Sequence, residues 1–156
     1  MRNFTMTGCA AALLLAGGCA TSPGDQRAVL AVTLTGVQEV PGPGDPDGTG
    51  TAEVRVDPGG PQVCWNLYAR QIDPATAAHI HRAAAGTAGP PVITLTTPDA
   101  NGRSEGCATV EQALARELVL RAHDFYVNVH TGPHPAGAIR GQMRGGAMRP
   151  DRRRAD

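Results

Sequence analysis

Apolar and polar residues alternate over several short stretches of the chain, which is the pattern of half-buried β-strands. The alternation runs through residues 30–35, 52–56 and 63–69. The second and third stretches are separated by 58–61, the turn sequence Pro-Gly-Gly-Pro. Turn residues between two alternating stretches predict a β-hairpin.

The rest of the chain shows the same short elements. A helix is predicted over 111–122, where Leu114 and Leu118 recur on one side. Further strands are predicted at 77–83, 92–96, 107–110, 125–131 and 138–144. About seven or eight short strands with one helix predict an all-β Greek-key sandwich or barrel.

The N-terminus has the pattern of an export signal. A basic residue, Arg2, precedes an uncharged stretch to Gly18 that is too short to span a bilayer. Small residues then lead into Cys19, as in the cleavage site of bacterial lipoproteins. We expect a lipoprotein signal peptide at 1–18 and a diacylglycerol and palmitate anchor on Cys19. Ordinary secretion, with cleavage after Ala20, is the alternative.

The expected lipoprotein signal defines the segments of the chain and its cellular location. Residues 19–27 form a lipidated tether, 28–145 the folded domain and 146–156 a disordered, Arg-rich tail. Because Ala20 and not Asp follows the lipidated Cys, we expect an outer-membrane lipoprotein of the cell envelope. It would face the periplasm or the cell surface, with the membrane as one partner.

Charge and cysteine content narrow the class of protein. Fourteen basic residues balance 14 acidic ones, which argues against a nucleic-acid partner. Of the four Cys, Cys9 leaves with the signal peptide and Cys19 is lipidated, so Cys64 and Cys107 remain. Two Cys in an exported domain predict a disulfide, which restricts the unfolded chain by about 4 kcal/mol.

Four separated segments, in order, resemble the CHRD (chordin-type) domain. They are Leu-Thr-Gly-Val-Gln-Glu-Val-Pro at 34–41, the strand at 50–56, the His-x-His segment at 78–90 and the stretch 126–142. The resemblance covers about residues 28 to 144 and implies a β-rich extracytoplasmic domain. In bacteria the family consists mostly of short exported proteins without an assigned biochemistry, and in animals the domain occurs in extracellular growth-factor antagonists. The resemblance therefore implies fold and compartment more than activity.

Three histidines are candidate metal ligands. His79 and His81 stand on one face of a strand, and His130 shares a face with Tyr126 and Asn128. If the two strands are neighbours, three imidazoles converge, and imidazole suits copper and zinc. The pattern is also loosely similar to Cu,Zn superoxide dismutase, another Greek-key sandwich with one disulfide. The alternative is a structural role, with the rings donating hydrogen bonds to backbone carbonyls.

Glu39 and Arg140 are the charged members of two family-like motifs, and we expect a structural pair that ties the first strand to the last. The main functional expectation is a non-enzymatic, lipid-anchored binding module. It would take a protein, a polysaccharide or a metal ion at the end that holds His79, His81 and His130. The alternative is a copper- or zinc-binding protein with weak dismutase-like activity, and a purely structural envelope protein comes third.

Overall fold

A computed structural model describes residues 26–146 and 148–150 of the chain. The expected signal peptide, the lipidated Cys19, most of the tether and the end of the Arg-rich tail lie outside the described residues. No helix within the described ranges is both long and apolar enough to cross a membrane.

The described chain forms short strands and one α-helix, as the alternation predicts. A 3-10 turn at Gly36–Gln38 follows the first strand, and another at Ala122–Asp124 follows the helix. The elements are β1 Gln26–Thr35, β2 Thr49–Val56, β3 Gln62–Arg70, β4 Ala75–Arg82, β5 Pro91–Leu95, β6 Arg103–Thr109, α1 Gln112–Leu120, β7 Phe125–Thr131, β8 Ile139–Gln142 and β9 Met148–Pro150.

Eight of these strands form one antiparallel sheet in the order β5-β4-β7-β8-β1-β2-β3-β6, and β9 adds to β1. The two edge strands come together at Thr96 and Ser104. The Ser104 Oγ donates to the Thr96 backbone oxygen at 2.5 Å, and the Thr96 Oγ1 donates to the Glu105 backbone oxygen at 3.1 Å. The sheet is therefore a nearly closed barrel, and the prediction of an all-β fold with one helix is confirmed.

The core lies inside this barrel, where alternate residues of each strand meet. Trp65 is 4% exposed, and its Nε1 donates to the Ser104 Oγ at 3.1 Å, so the indole is packed and its polar atom is paired. The helix α1 buries Ala115 and Leu118 against the core. Apart from one arginine, the largest fully buried side chains are Phe125, Leu30, Leu34, Ile80, Leu118, Ile139, Met143, Val54, Val56, Val63 and Val127.

The predicted disulfide between Cys64 and Cys107 is present. The two residues are directly opposite each other on the neighbouring strands β3 and β6. The bridge joins residues 43 positions apart in the chain, and it stabilises the folded state by restricting the unfolded chain.

The ends of the domain differ from the expected boundaries. Strand β1 begins at Gln26, which lies inside the expected tether. Strand β9, Met148–Pro150, lies inside the expected disordered tail and pairs with Gln26–Ala28. Backbone groups can pair in a sheet whatever the side-chain pattern, so alternation gives no signal for such a short strand. The helix is also shorter than predicted, because residues 122–124 form a 3-10 turn.

Candidate metal centre

Three histidines lie on one face of the barrel wall, because β4 and β7 are antiparallel neighbours. The register places His79 opposite Asn128 and Ala77 opposite His130, while His81 lies two residues further along β4. The residues that alternate with them on each strand are buried in the core. The strand pairing on which the predicted convergence depends is therefore present.

The three rings approach within the range of a shared metal ion. The His79 Nδ1 lies 3.1 Å from the His130 Nε2. The ring centroid of His79 is 5.4 Å from that of His81 and 5.1 Å from that of His130. One ligand nitrogen of each ring lies within 4.8 Å of the other two. All three side chains are half-buried, so the cluster is set into the surface of the barrel.

Backbone carbonyls fix the orientation of two of these rings. The Nδ1 of His81 lies 2.8 Å from the Gly89 oxygen, and the Nδ1 of His130 lies 3.0 Å from the Pro135 oxygen. A carbonyl oxygen only accepts hydrogen bonds, so each Nδ1 carries the proton and each Nε2 keeps its lone pair. This is the outer arrangement that metal-binding histidines usually have.

The second nitrogen of His81 is the least satisfied atom of the cluster. Within the described part of the chain, its Nε2 is buried and has no hydrogen-bond partner. A buried nitrogen with a free lone pair costs about 1–3 kcal/mol unless something coordinates it or donates to it. A metal ion bound between the three rings would fill that need, so the residues present fit such an ion.

The electrostatic surroundings favour the neutral form of the three rings. Burial lowers the pKa of His79, His81 and His130 below its usual value of 6.5. The neighbouring histidines lower the pKa of His79 further, and His130 and Arg140 do the same for His81. The hydrogen bonds to carbonyl oxygens partly oppose these effects. Neutral imidazole is the form that binds metal ions.

The His81 ring stacks on Tyr126, and Tyr126 in turn contacts the guanidinium of Arg140. The ring of Tyr126 is parallel to that of His81, with centroids 4.8 Å apart and 10° between the planes. The guanidinium carbon of Arg140 lies 3.4 Å from the centroid of the Tyr126 ring. Because β4 and β8 flank β7, the imidazole and the guanidinium approach the Tyr126 ring from its two sides. The stack restricts the movement of the His81 ring.

Glu39 and Arg140, the expected charge pair, are both buried beside this stack. The Asn128 Nδ2 donates to the Glu39 Oε1 at 2.5 Å. Burial raises the pKa of Glu39 from 4.5 to about 7, although the charge of Arg140 and the hydrogen bonds from Val40 and Asn128 lower it. Arg140 is directly opposite Thr35 where β8 pairs with β1, and Glu39 ends the 3-10 turn that follows β1. The two side chains form no direct ion pair, so the expected pair acts within the described residues only through the longer-range attraction of the two charges.

Two other histidines stand apart from the cluster. His123 follows the helix, with a side chain 76% exposed and its Nε2 3.5 Å from the Asp124 Oδ1. His134 lies in the turn after β7, where its backbone nitrogen donates to the Thr131 Oγ1. They offer matched controls for any experiment on the cluster.

The sequence analysis did not identify the residues that orient the three histidines. Gly89 and Pro135 act through backbone oxygens, which leave no side-chain signal. Tyr126 and Asn128 share a face with His130 by simple alternation, but only the register of β4, β7 and β8 places them beside the other histidines.

Comparison with known proteins gives one result. No match is found among curated proteins, and none among solved structures. The family model of the CHRD domain matches residues 30–143, which span almost all of the barrel. The chain therefore belongs to the CHRD domain family.

Proposed function

We propose that this protein is an exported binding module that holds one copper or zinc ion through His79, His81 and His130. The observation that carries the proposal is the buried Nε2 of His81, which has no hydrogen-bond partner within the described residues while its Nδ1 is tied to Gly89. Three imidazoles with a fourth position open form a common type of zinc and copper site.

A purely structural role leaves one ring nitrogen of His81 unexplained. Hydrogen bonds from His81 and His130 to backbone oxygens would hold the loops at this end of the barrel, as a structural role requires. Those bonds use the Nδ1 atoms, and the Nε2 atoms of the two rings need other partners. In the metal-free protein one proton can bridge His79 and His130, yet the Nε2 of His81 still has nothing to bind.

A large macromolecular partner is less well supported, because the strongest contacts of protein interfaces are often made by accessible Trp and Tyr side chains. Trp65 and Tyr126 are 4% and 3% exposed. The ring of Tyr68 lies 4.5 Å from the guanidinium carbon of Arg70 and 5.2 Å from that of Arg103. These three aromatic residues are therefore either in the barrel or covered by cations, which favours a small ligand at the histidines.

The proposal includes export and lipid anchoring through Cys19. The Cys64–Cys107 disulfide supports export, since disulfides persist in oxidising compartments outside the cytoplasm. A lipid on Cys19 would hold the barrel at the outer membrane on a short tether. The module would then bind its metal ion in the periplasm or at the cell surface.

Calorimetric titration of the metal-free protein with Zn(II) and Cu(II) tests the proposal. We expect one ion per chain, with binding lost in the triple variant His79→Ala, His81→Ala, His130→Ala. The matched control is the double variant His123→Ala, His134→Ala, which removes two histidines outside the cluster and should bind normally. Absence of binding by the wild type, or equal binding by the triple variant, would overturn the proposal.

A further inference from the structure

The orientation of His81 depends on a segment without regular structure, residues 83–90 between β4 and β5. The Gly89 oxygen of this segment lies 2.8 Å from the His81 Nδ1 and 3.4 Å from the Tyr126 hydroxyl. It therefore accepts from the ligand ring and from the ring stacked on it. Any shift of Gly89 would release both.

The beginning of this segment is held by two side chains of β8, Arg140 and Gln142, which we name the β8 pair. The Gln142 Nε2 donates to the Ala83 oxygen at 2.8 Å and to the His123 oxygen at 2.7 Å. The Arg140 Nη2 donates to the Ala84 oxygen at 3.2 Å and to the Gln142 Oε1 at 3.3 Å. The two side chains thus bind the segment and each other.

The segment is packed so tightly that fixing its first residues also fixes its last ones. A Cβ added at Gly89 would lie 2.0 Å from the Arg82 oxygen and 2.8 Å from the Ala83 Cβ. The Arg82 nitrogen also donates to the Pro90 oxygen at 3.0 Å. The two ends of the segment therefore lie against each other, and fixing Ala83 fixes the place of Gly89.

We propose that the β8 pair positions His81 for metal binding by holding the 83–90 segment in place. The inference rests on the proposed metal site and adds two positioning residues to it. Without the pair, the Gly89 oxygen would no longer select the proton position on His81. The Nε2 would then present a lone pair in only part of the molecules, and the ring would also lose the contact that holds it in one orientation. Loss of such outer partners typically weakens metal binding by about 10–100-fold.

The test uses Gln142→Met, which keeps the length of the side chain and removes its hydrogen bonds. The matched control is Gln112→Met, since the Gln112 Nε2 also donates to a backbone oxygen, that of Gly59, at 3.1 Å. That bond joins the start of α1 to the turn between β2 and β3. Long-range ¹H–¹⁵N spectra of the metal-free proteins give the proton position on His81, and titration with Zn(II) gives affinity.

We expect the wild type and Gln112→Met to hold the proton on Nδ1 of His81. Gln142→Met should give a mixture of the two proton positions and bind Zn(II) about 10–100-fold more weakly. If Gln142→Met does not fold, Arg140→Lys serves instead, because a lysine cannot donate to two separate oxygens in the same planar geometry.

Unchanged proton position and affinity in the folded variants would overturn the positioning role. A wild type that binds no Zn(II) would refute the metal site. The spectra would then still show whether the β8 pair sets the proton on His81, so the two failures can be told apart.

Discussion

The Nδ1 of His79 lies 3.1 Å from the Nε2 of His130, although the two residues are 51 positions apart in the chain. Two ring nitrogens at this distance can share one proton, but both cannot carry one. The pair therefore holds one proton in an N–H···N hydrogen bond, in which one nitrogen donates and the lone pair of the other accepts. A metal ion that replaced the shared proton would meet both nitrogens, together with the Nε2 of His81.

Metal binding should raise the thermal stability of the protein, because the site exists only in the folded state. At a free-ion concentration 100 times the dissociation constant, the gain in free energy of unfolding is about 2.7 kcal/mol. Thermal unfolding with Zn(II), and again after chelation, measures it. The rise should reverse with chelator and be absent when His79, His81 and His130 are replaced by Ala. A rise of equal size in that triple variant would contradict the assignment.

Glu39 should make the stability of the metal-free protein depend on pH. Its pKa is raised from 4.5 to about 7, so between these values the folded state binds more protons than the unfolded state. Stability contributed by this group is present below about pH 4.5 and is lost as pH rises through about 7. Glu39→Gln should remove this loss.

Denaturant unfolding at pH 5 and pH 8 measures the effect. From pH 5 to pH 8 the wild type should lose on the order of 2 kcal/mol more of its free energy of unfolding than Glu39→Gln does. Glu53→Gln is the control, since the side chain of Glu53 is 45% exposed and lies beside Arg55. Parallel pH profiles for the wild type and Glu39→Gln would show that Glu39 is not the group responsible.

Gly137 should be intolerant of a side chain, unlike Gly132 in the same turn. Its φ is +151°, and an added Cβ would lie 2.3 Å from the Glu39 Oε2 and 2.4 Å from the Asn128 Nδ2. Gly137→Ala should destabilise the fold by about 1–3 kcal/mol. An added Cβ at Gly132 meets nothing within 4 Å, so Gly132→Ala should be nearly neutral. Equal losses in denaturant unfolding would contradict the packing described here.

Cys19→Ser should release the protein from the membrane. In the proposed function a lipid on Cys19 is the membrane anchor, and the hydroxyl of a serine cannot form the thioether that attaches it. Fractionation of cells and labelling with radioactive palmitate measure the change. The wild type should be labelled and should sediment with outer membranes. The variant should remain unlabelled and should not sediment with them. An unlabelled wild type in the soluble fraction would favour ordinary secretion with cleavage after Ala20.

Most of the strands could be predicted from the sequence, because alternation and turn residues are local signals. The strand of His130 was predicted with its observed bounds, 125–131, and the disulfide followed from counting Cys. What it could not give was the register between strands. The meeting of His79 with His130 depends on β4 pairing with β7, which are separated by two strands and a helix in the chain.

The side chains that hold the histidine cluster in place could not be predicted from the sequence. Arg140 and Gln142 belong to a family-like motif, but their partners are backbone oxygens at residues 83, 84 and 123. Such contacts can form with any side chain at the accepting position. Burial of the Glu39 carboxylate beside Asn128 likewise depends on the close approach of a backbone turn at Gly137, which only the folded chain defines.

Diffraction from zinc-soaked crystals, with anomalous data collected at the zinc edge, tests the central claim most directly. We predict a single strong peak about 2.0–2.1 Å from the Nδ1 of His79 and from the Nε2 atoms of His81 and His130. Crystals of the triple Ala variant should lack it. A peak at other residues, or none at the three histidines under saturating zinc, would contradict the account.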